Sequence, residues 1–124
     1  MSIISKVSPL APKKFPIMLP VSGVRFSTAN AGIKSGDGDD VTLIILDPDT
    51  EIAGLFTSSL MRSAPVIDCQ NKIGTEARDT GAAIIINSGN ANAFTGRRGE
   101  IAVKEIVASL STKRRFVLFQ YLAV

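Results

Sequence analysis

The chain has 124 residues, a length that fits one ordinary domain with a single core. Hydrophobic residues make up 45% and charged residues 20%, a globular composition that excludes a disordered or coiled-coil chain. The formal net charge is only +3. The basic run at residues 113–115 precedes an apolar segment and is not interleaved with aromatic side chains, so it is more typical of a solvated helix end than of a nucleic-acid site.

Residues suited to metal or thiol chemistry are scarce. The chain has no histidine and one cysteine, Cys69. We therefore predict no metal site and a structural role for the Cys69 thiol, because no histidine is present to activate it. A single cysteine fits a reducing compartment. The N-terminus lacks the apolar region of a signal peptide and no apolar run is long enough to span a membrane, so we predict a cytoplasmic chain without a membrane partner.

The first half of the chain indicates strands separated by turns. Four prolines within residues 1–20 exclude a helix or a central strand there and predict an extended arm. The stretch "SGVRFSTANAGIKSG" predicts a short strand, and "GDGDD" at residues 36–40 predicts a turn. The β-branched apolar run at residues 41–47 is typical of a strand buried on both faces. An antiparallel return strand is expected over residues 52–57.

The segment after this return strand is ambiguous. Ser58 and Ser59 are candidate N-caps of a short helix. Pro65 is expected to break that helix, which would leave one helical turn followed by an extended piece.

The second half predicts a strand, a loop, a helix and a final strand. Residues 82–87 form a second apolar β-branched run. Apolar side chains then recur at three- and four-residue spacing, which predicts an amphipathic helix over roughly residues 98–110, with Thr95 as its N-cap. The tail "RRFVLFQYLAV" is typical of a strand. Together these elements predict an α/β fold, a mixed β-sheet with packed helices.

The loop "NSGNANA" that follows the second run is the candidate site. It comprises Asn87, Ser88, Gly89, Asn90 and Asn92. Asparagine side chains bond nearby backbone groups, so the simplest interpretation is a rigid connection between strand and helix. Loops at the carboxyl ends of strands also place ligands, and amides at a helix N-terminus can bind an anion. The loop matches neither a dinucleotide fingerprint nor a phosphate loop.

Three segments together resemble a known family. "GIKSGDGDDVTLIILD", "AGLFTSSLMRSAPV" and "AIIINSGNANAFTG", in this order, are similar to the amino-terminal part of the α chain of the ornithine acetyltransferases, also called glutamate N-acetyltransferases. The resemblance covers about Gly23 to Leu110. It divides the chain into an extended arm at residues 1–20, a family-like domain at 21–112 and a tail at 113–124 that departs from the family pattern.

The resemblance implies an activity and partners. Family members transfer an acetyl group from N-acetylornithine to glutamate in arginine biosynthesis, and they need no cofactor for this exchange. The nucleophile is a threonine that self-cleavage places at the start of a β chain, which assembles with the α chain into an α2β2 heterotetramer. The family fold has α-β-β-α layers, of which this chain would be a piece.

No catalytic residue of the family can be placed on this chain. The nucleophile and the oxyanion motif have no counterpart in "STKRRFVLFQYLAV", and Thr95 is internal and belongs to the wrong motif. We therefore expect a truncated form that is inactive alone, whose asparagine loop braces a neighbouring active site in the complete enzyme. Two alternatives stay open. One is a non-catalytic binding or assembly fragment. The other, less favoured because its basic residues are few, is a nucleic-acid-binding domain using Arg97, Arg98 and residues 113–115.

Overall fold

A computed structural model of the chain describes residues 9–74, 79–111 and 117–122, the last range as backbone alone. These ranges hold four strands and two helices. In chain order they are β1 (Val24–Ala29), β2 (Val41–Leu46), α1 (Ala64–Lys72), β3 (Ala82–Asn87), α2 (Gly96–Ser111) and β4 (Val117–Leu122).

The four strands form one mixed sheet. Its order is β1-β2-β3-β4, with antiparallel pairing from β1 to β3 and parallel pairing between β3 and β4. This confirms the predicted α/β class and the mixed sheet. The topology brings the carboxyl ends of β1, β3 and β4 to the same edge of the sheet as the start of β2. Loops that follow β1 and β3 therefore meet at this edge.

The core lies where α1 meets the two central strands. Leu46 of β2, Cys69 of α1 and Ala82 of β3 are buried together. Half-buried apolar side chains, among them Ile44 and Ile84, pack around them. β-Branched residues dominate β2 and β3 because their side chains pack well on a pleated surface.

Three sequence predictions, for β2, β3 and α2, are confirmed, because the patterns behind them are long. β2 and β3 occupy the two apolar runs, and α2 extends the predicted helix by two residues at its start and one at its end. The tail strand is also present, as β4. Residues 9–21 contain no helix or strand. The division of the chain into arm, domain and tail stays a prediction.

The predicted strand at residues 52–57 is wrong. This segment pairs with no strand, although Ile52 and Phe56 still pack against the core. The physical reason is competition for the free edge of β2. β3 occupies that edge, with Ala82 opposite Leu46, so the chain leaving β2 has no pairing site left. Leu55 is fully exposed as a result.

The expected effect of Pro65 is also wrong. Pro65 is buried in the first turn of α1, which runs for nine residues. A proline is tolerated there because the first amides of a helix have no intrahelical acceptor. Ser63 holds the N-cap position without a side-chain capping bond, and the helix ends with the Ile73 amide donating to Cys69 O at 2.9 Å.

Within the ranges given above, neither helix is both long enough and apolar enough to cross a bilayer.

We expect Val103→Ala to destabilise the fold more than Ile101→Ala, although the isoleucine variant removes more atoms. Val103 is 2% exposed on α2, whereas Ile101 is 46% exposed on the same helix. Loss of the buried methyl groups should lower the free energy of unfolding by about 1–3 kcal/mol. Chemical denaturation of the two variants measures the difference, and equal losses would contradict the placement of α2.

Candidate functional site

The asparagine loop is a turn held by its own side chains. Asn87 Nδ2 donates to Asn90 O at 2.9 Å, and the Asn92 amide donates to Asn90 Oδ1 at the same distance. Asn92 has a φ of +45°, in the left-handed region that asparagine tolerates better than most residues. The loop therefore leaves β3 in a fixed direction.

Asn92 joins the starts of both helices. Its Nδ2 donates to Gly99 O at 3.1 Å, and its Oδ1 accepts from the Thr95 hydroxyl at 2.7 Å. Its backbone oxygen accepts from the Ala64 amide at 3.4 Å, at the first residue of α1. One side chain and one carbonyl thus connect α1, the loop and the first turns of α2.

The close approach of Gly99 completes this junction. Gly99 is buried, and a Cβ placed on it would overlap Thr95 Oγ1 and lie 2.6 Å from Asn92 Oδ1. Thr95 directly precedes α2, and its hydroxyl donates to Asn92. Among the described residues no helix amide donates to the Thr95 hydroxyl, so the predicted N-cap bond is not formed.

A second loop, residues 30–40, lies beside the asparagine loop and is organised by Asp40. Asp40 is 2% exposed, and its carboxylate accepts from the amides of Ala31 at 2.7 Å, Ile33 at 2.5 Å and Lys34 at 3.0 Å. These bonds, chiefly those from Ala31 and Lys34, hold the pKa of Asp40 below its ordinary value, and burial opposes them only in part. The carboxylate is therefore ionised at neutral pH.

The two loops contact each other directly. The Ser88 amide donates to Asp40 O at 2.8 Å. A Cβ on Gly89 would lie 2.6 Å from Lys34 Cγ, so the absence of a side chain at Gly89 allows this approach. The loops at residues 30–40 and 87–92 thus form one layer at the edge of the sheet.

An open cleft of about 170 Å³ lies beside this layer, between the starts of α1 and α2. Asn92 lines it, whereas the other four residues of the predicted site do not. Arg62 and Glu100 supply one charge of each sign to its wall, and Arg62 Nη1 donates to Gln70 Oε1 at 2.6 Å. The remaining lining residues are Leu60, Met61, Ala64, Ile67, Phe94, Thr95 and Gly96.

Phe94 has an unusual conformation in the cleft wall. Its φ is +59° and the residue is 81% exposed. A bulky residue in the left-handed region costs roughly 1–2 kcal/mol. The bonds of Asn92 on one side and the helix on the other hold this conformation in place.

The Cys69 thiol is not an activated nucleophile. Burial, together with the neighbouring charge of Asp68, raises the pKa of the Cys69 thiol to about 11, and Lys72 lowers it only partly. The thiol is therefore protonated at neutral pH, which agrees with a structural role. In the part of the chain that the structure describes, no group of three or more His, Cys, Asp or Glu side chains could hold a metal ion.

Sequence reasoning missed two parts of this site. Asp40 was grouped with a generic turn, although an aspartate directly before a buried strand is placed to accept amides from the preceding loop. Arg62 was not singled out, because its position beside Asn92 depends on the unexpected start of α1 at Ala64.

The model of the ArgJ family matches residues 25–119. The chain belongs to the ArgJ family. The match spans most of the chain, and the region represented is a partial, amino-terminal one. This confirms the family that the three sequence segments indicated.

Two curated relatives show the extent of the match. The arginine biosynthesis bifunctional protein ArgJ of Ruegeria pomeroyi is 50% identical over 111 residues, which cover 90% of this chain and 27% of that protein. The protein of the same name from Bradyrhizobium diazoefficiens is 51% identical over 96 residues, or 77% and 22% of the two chains. The chain thus spans about a quarter of the length of these relatives.

Solved structures agree with the fold. An ornithine acetyltransferase from Mycobacterium tuberculosis, complexed with ornithine, superposes with a TM-score of 0.66 at 29% identity, covering 83% of this chain and 57% of that chain. The ArgJ protein of Bacillus halodurans gives a TM-score of 0.64 at 24% identity, over 83% and 55% of the two chains, and supports the fold alone.

We expect Gly99→Ala to disrupt the junction at Asn92. The new methyl group must displace Thr95 or Asn92, so the free energy of unfolding should fall by about 1–3 kcal/mol. The amide signals of residues 92–96 should shift in NMR spectra. Arg98→Ala, at the exposed neighbouring position, is the matched control and should leave these signals in place. Unchanged signals in Gly99→Ala would contradict the close packing.

We expect Asp40→Asn to weaken the acid dependence of stability. The folded-state pKa of Asp40 is depressed, so its contribution is present above the ordinary aspartate pKa and is lost as pH falls through the folded value. The asparagine would also present an NH2 group to amides that need an acceptor. Chemical denaturation at several acid pH values measures how steeply the free energy of unfolding falls with pH. Asp49→Asn, on an exposed turn, is the control, and an unchanged slope in Asp40→Asn would refute the assignment.

Proposed function

We propose that the chain supplies the amino-terminal part of an acetyltransferase that moves an acetyl group from N-acetylornithine to glutamate in arginine biosynthesis. The observation that carries this proposal is the family match over residues 25–119. The curated relatives are named for arginine biosynthesis, and one similar structure is an ornithine acetyltransferase bound to ornithine. We place the activity in the cytoplasm, because a single cysteine fits a reducing compartment.

Within this enzyme the asparagine loop would brace the active site without taking part in the chemistry. Asn87, Asn90 and Asn92 direct their bonds into the loop and the helix starts. Ser88 and Gly89 fix the loop against residues 30–40. Support for a bracing role comes from this self-contained bonding, which leaves few side-chain groups of the loop to contact a substrate.

The chain alone is proposed to lack acetyltransferase activity. Acyl exchange needs an activated nucleophile and donors aimed at the developing oxyanion. The Cys69 thiol is buried with a raised pKa, and the Thr95 hydroxyl is engaged by Asn92 in the middle of the chain. Ser2, the residue that processing could expose with a free amine, lies outside the described residues.

Assembly with a β chain into an α2β2 heterotetramer is the second part of the proposal. The stretch from Leu10 to Leu19 exposes five large apolar residues by more than three quarters, and Leu55 and Leu60 are almost wholly exposed. Apolar surface of this extent favours a role in protein contacts. The same surface supports the assembly fragment as the alternative function if activity is never recovered.

We expect the purified chain to produce no acetylglutamate from N-acetylornithine and glutamate. Activity should appear when the remaining α segment and the β chain of the Ruegeria pomeroyi relative are co-expressed with it, and the added chains should co-elute with it. Thr95→Ala should leave the reconstituted activity measurable, because Thr95 is not the nucleophile.

The result that would overturn the proposal is turnover by the isolated chain that disappears in Ser2→Ala or Thr95→Ala. Co-elution without activity would leave the assembly role in place and remove the catalytic one. Salt-dependent binding of the isolated chain to RNA or DNA would instead favour the nucleic-acid alternative.

A further inference from the structure

The loop at residues 30–40 contains an aspartate followed by glycine in its exposed part. Asp37 and Gly38 are both exposed, and Gly36 precedes them with a φ of +115°. No described residue accepts a hydrogen bond from the Gly38 amide. A Cβ placed on Gly38 would meet no atom within 4 Å. The Asp37 side chain and the following amide are thus unobstructed by packing, and glycine on both sides leaves the backbone conformationally permissive.

We propose that Asp37 is a site of spontaneous isomerisation to isoaspartate. The Gly38 nitrogen attacks Asp37 Cγ, so an N–Cγ bond forms, the amide loses its proton, and the carboxyl hydroxyl leaves as water. The product is a cyclic succinimide. Water then opens the ring. Cleavage between Gly38 N and Asp37 Cγ restores aspartate, and cleavage between Gly38 N and the Asp37 main-chain carbonyl carbon gives isoaspartate. No oxidant or other co-reactant is needed.

Three other aspartates, Asp47, Asp49 and Asp68, are less suited to this reaction. Pro48 follows Asp47 and has no N–H to lose. The amide after Asp49 belongs to β-branched Thr50 and donates to Asp47 O at 3.3 Å. Cys69, after Asp68, lies inside α1, where helical geometry engages the amide. Asp37 therefore combines an exposed carboxyl, a small following residue and an unengaged amide.

The modification would act on the candidate site through the loop. Asn30 Nδ2 donates to Gly36 O at 3.1 Å and to Gly38 O at 3.0 Å, so it binds the main chain on both sides of Asp37. Isoaspartate lengthens the main chain by one carbon and moves Gly38 O away from Asn30. Asp40 follows two residues later, and its carboxylate and carbonyl hold the loop and Ser88. The asparagine loop would lose part of its support.

The test follows the folded chain during incubation at neutral pH and physiological temperature in water labelled with heavy oxygen. Peptide mass spectrometry should find heavy oxygen incorporated at Asp37 several-fold faster than at Asp49. The peptide that contains Asp37 should also give a second chromatographic peak of the same composition, which is the isoaspartate form. Asp37→Glu, which cannot form the five-membered ring, should lose the peak. Gly38→Ala has open space and no positive φ, so it should fold normally and react several-fold more slowly.

Two results would overturn the inference. One is folded-state labelling at Asp37 that is no faster than at Asp49, or that is equally fast in Gly38→Ala. The other concerns the coupling to the site. The amide hydrogens of Ala31, Ile33 and Lys34 should exchange with solvent several-fold faster in the isomerised fraction. Unchanged exchange would show that isomerisation of Asp37 does not alter the bonds to Asp40.

Discussion

The antiparallel register between β2 and β3 determines where the loops of the candidate site lie. Val41 pairs with Asn87, so the residues just beyond the strands, Asp40 and Ser88, meet and extend the ladder by one hydrogen bond of 2.8 Å. A slip of one residue would break this bond and turn the apolar side chains of β2 to the opposite face. The two loops are therefore placed by the sheet, and only their internal shape depends on their own residues.

That internal shape depends on short side chains with both donors and acceptors. Asn92 donates to Gly99 O and accepts from Thr95, so an aspartate, which only accepts when ionised, could not make the bond to Gly99 O. Asp40 shows the opposite case, because all three of its described loop partners are amides and only an acceptor is needed. The residue type at each junction thus follows from the polarity of the backbone groups around it.

The sequence predicted the elements that a local residue pattern is enough to determine. β2, β3 and α2 follow from long apolar runs and helical spacing. The segment at residues 52–57 has a similar local pattern but is no strand, because β3, a distant segment, takes the edge of β2. The loop residues were selected by composition, but their partners were not predictable. Gly99, Lys34 and the start of α1 reach the loop only through tertiary contacts.

The side chains of β2 are less buried than the composition of this strand predicts. Its run of apolar and β-branched side chains is typical of a strand covered on both faces. Within β2 only Leu46 is buried, and the five residues from Val41 to Ile45 are half-buried. Apolar area that remains accessible contributes less to stability, at about 25 cal/mol for each Å² not removed from water. The strand therefore carries a composition suited to more cover than the described residues give it, and the assembly proposed above is one source of such cover.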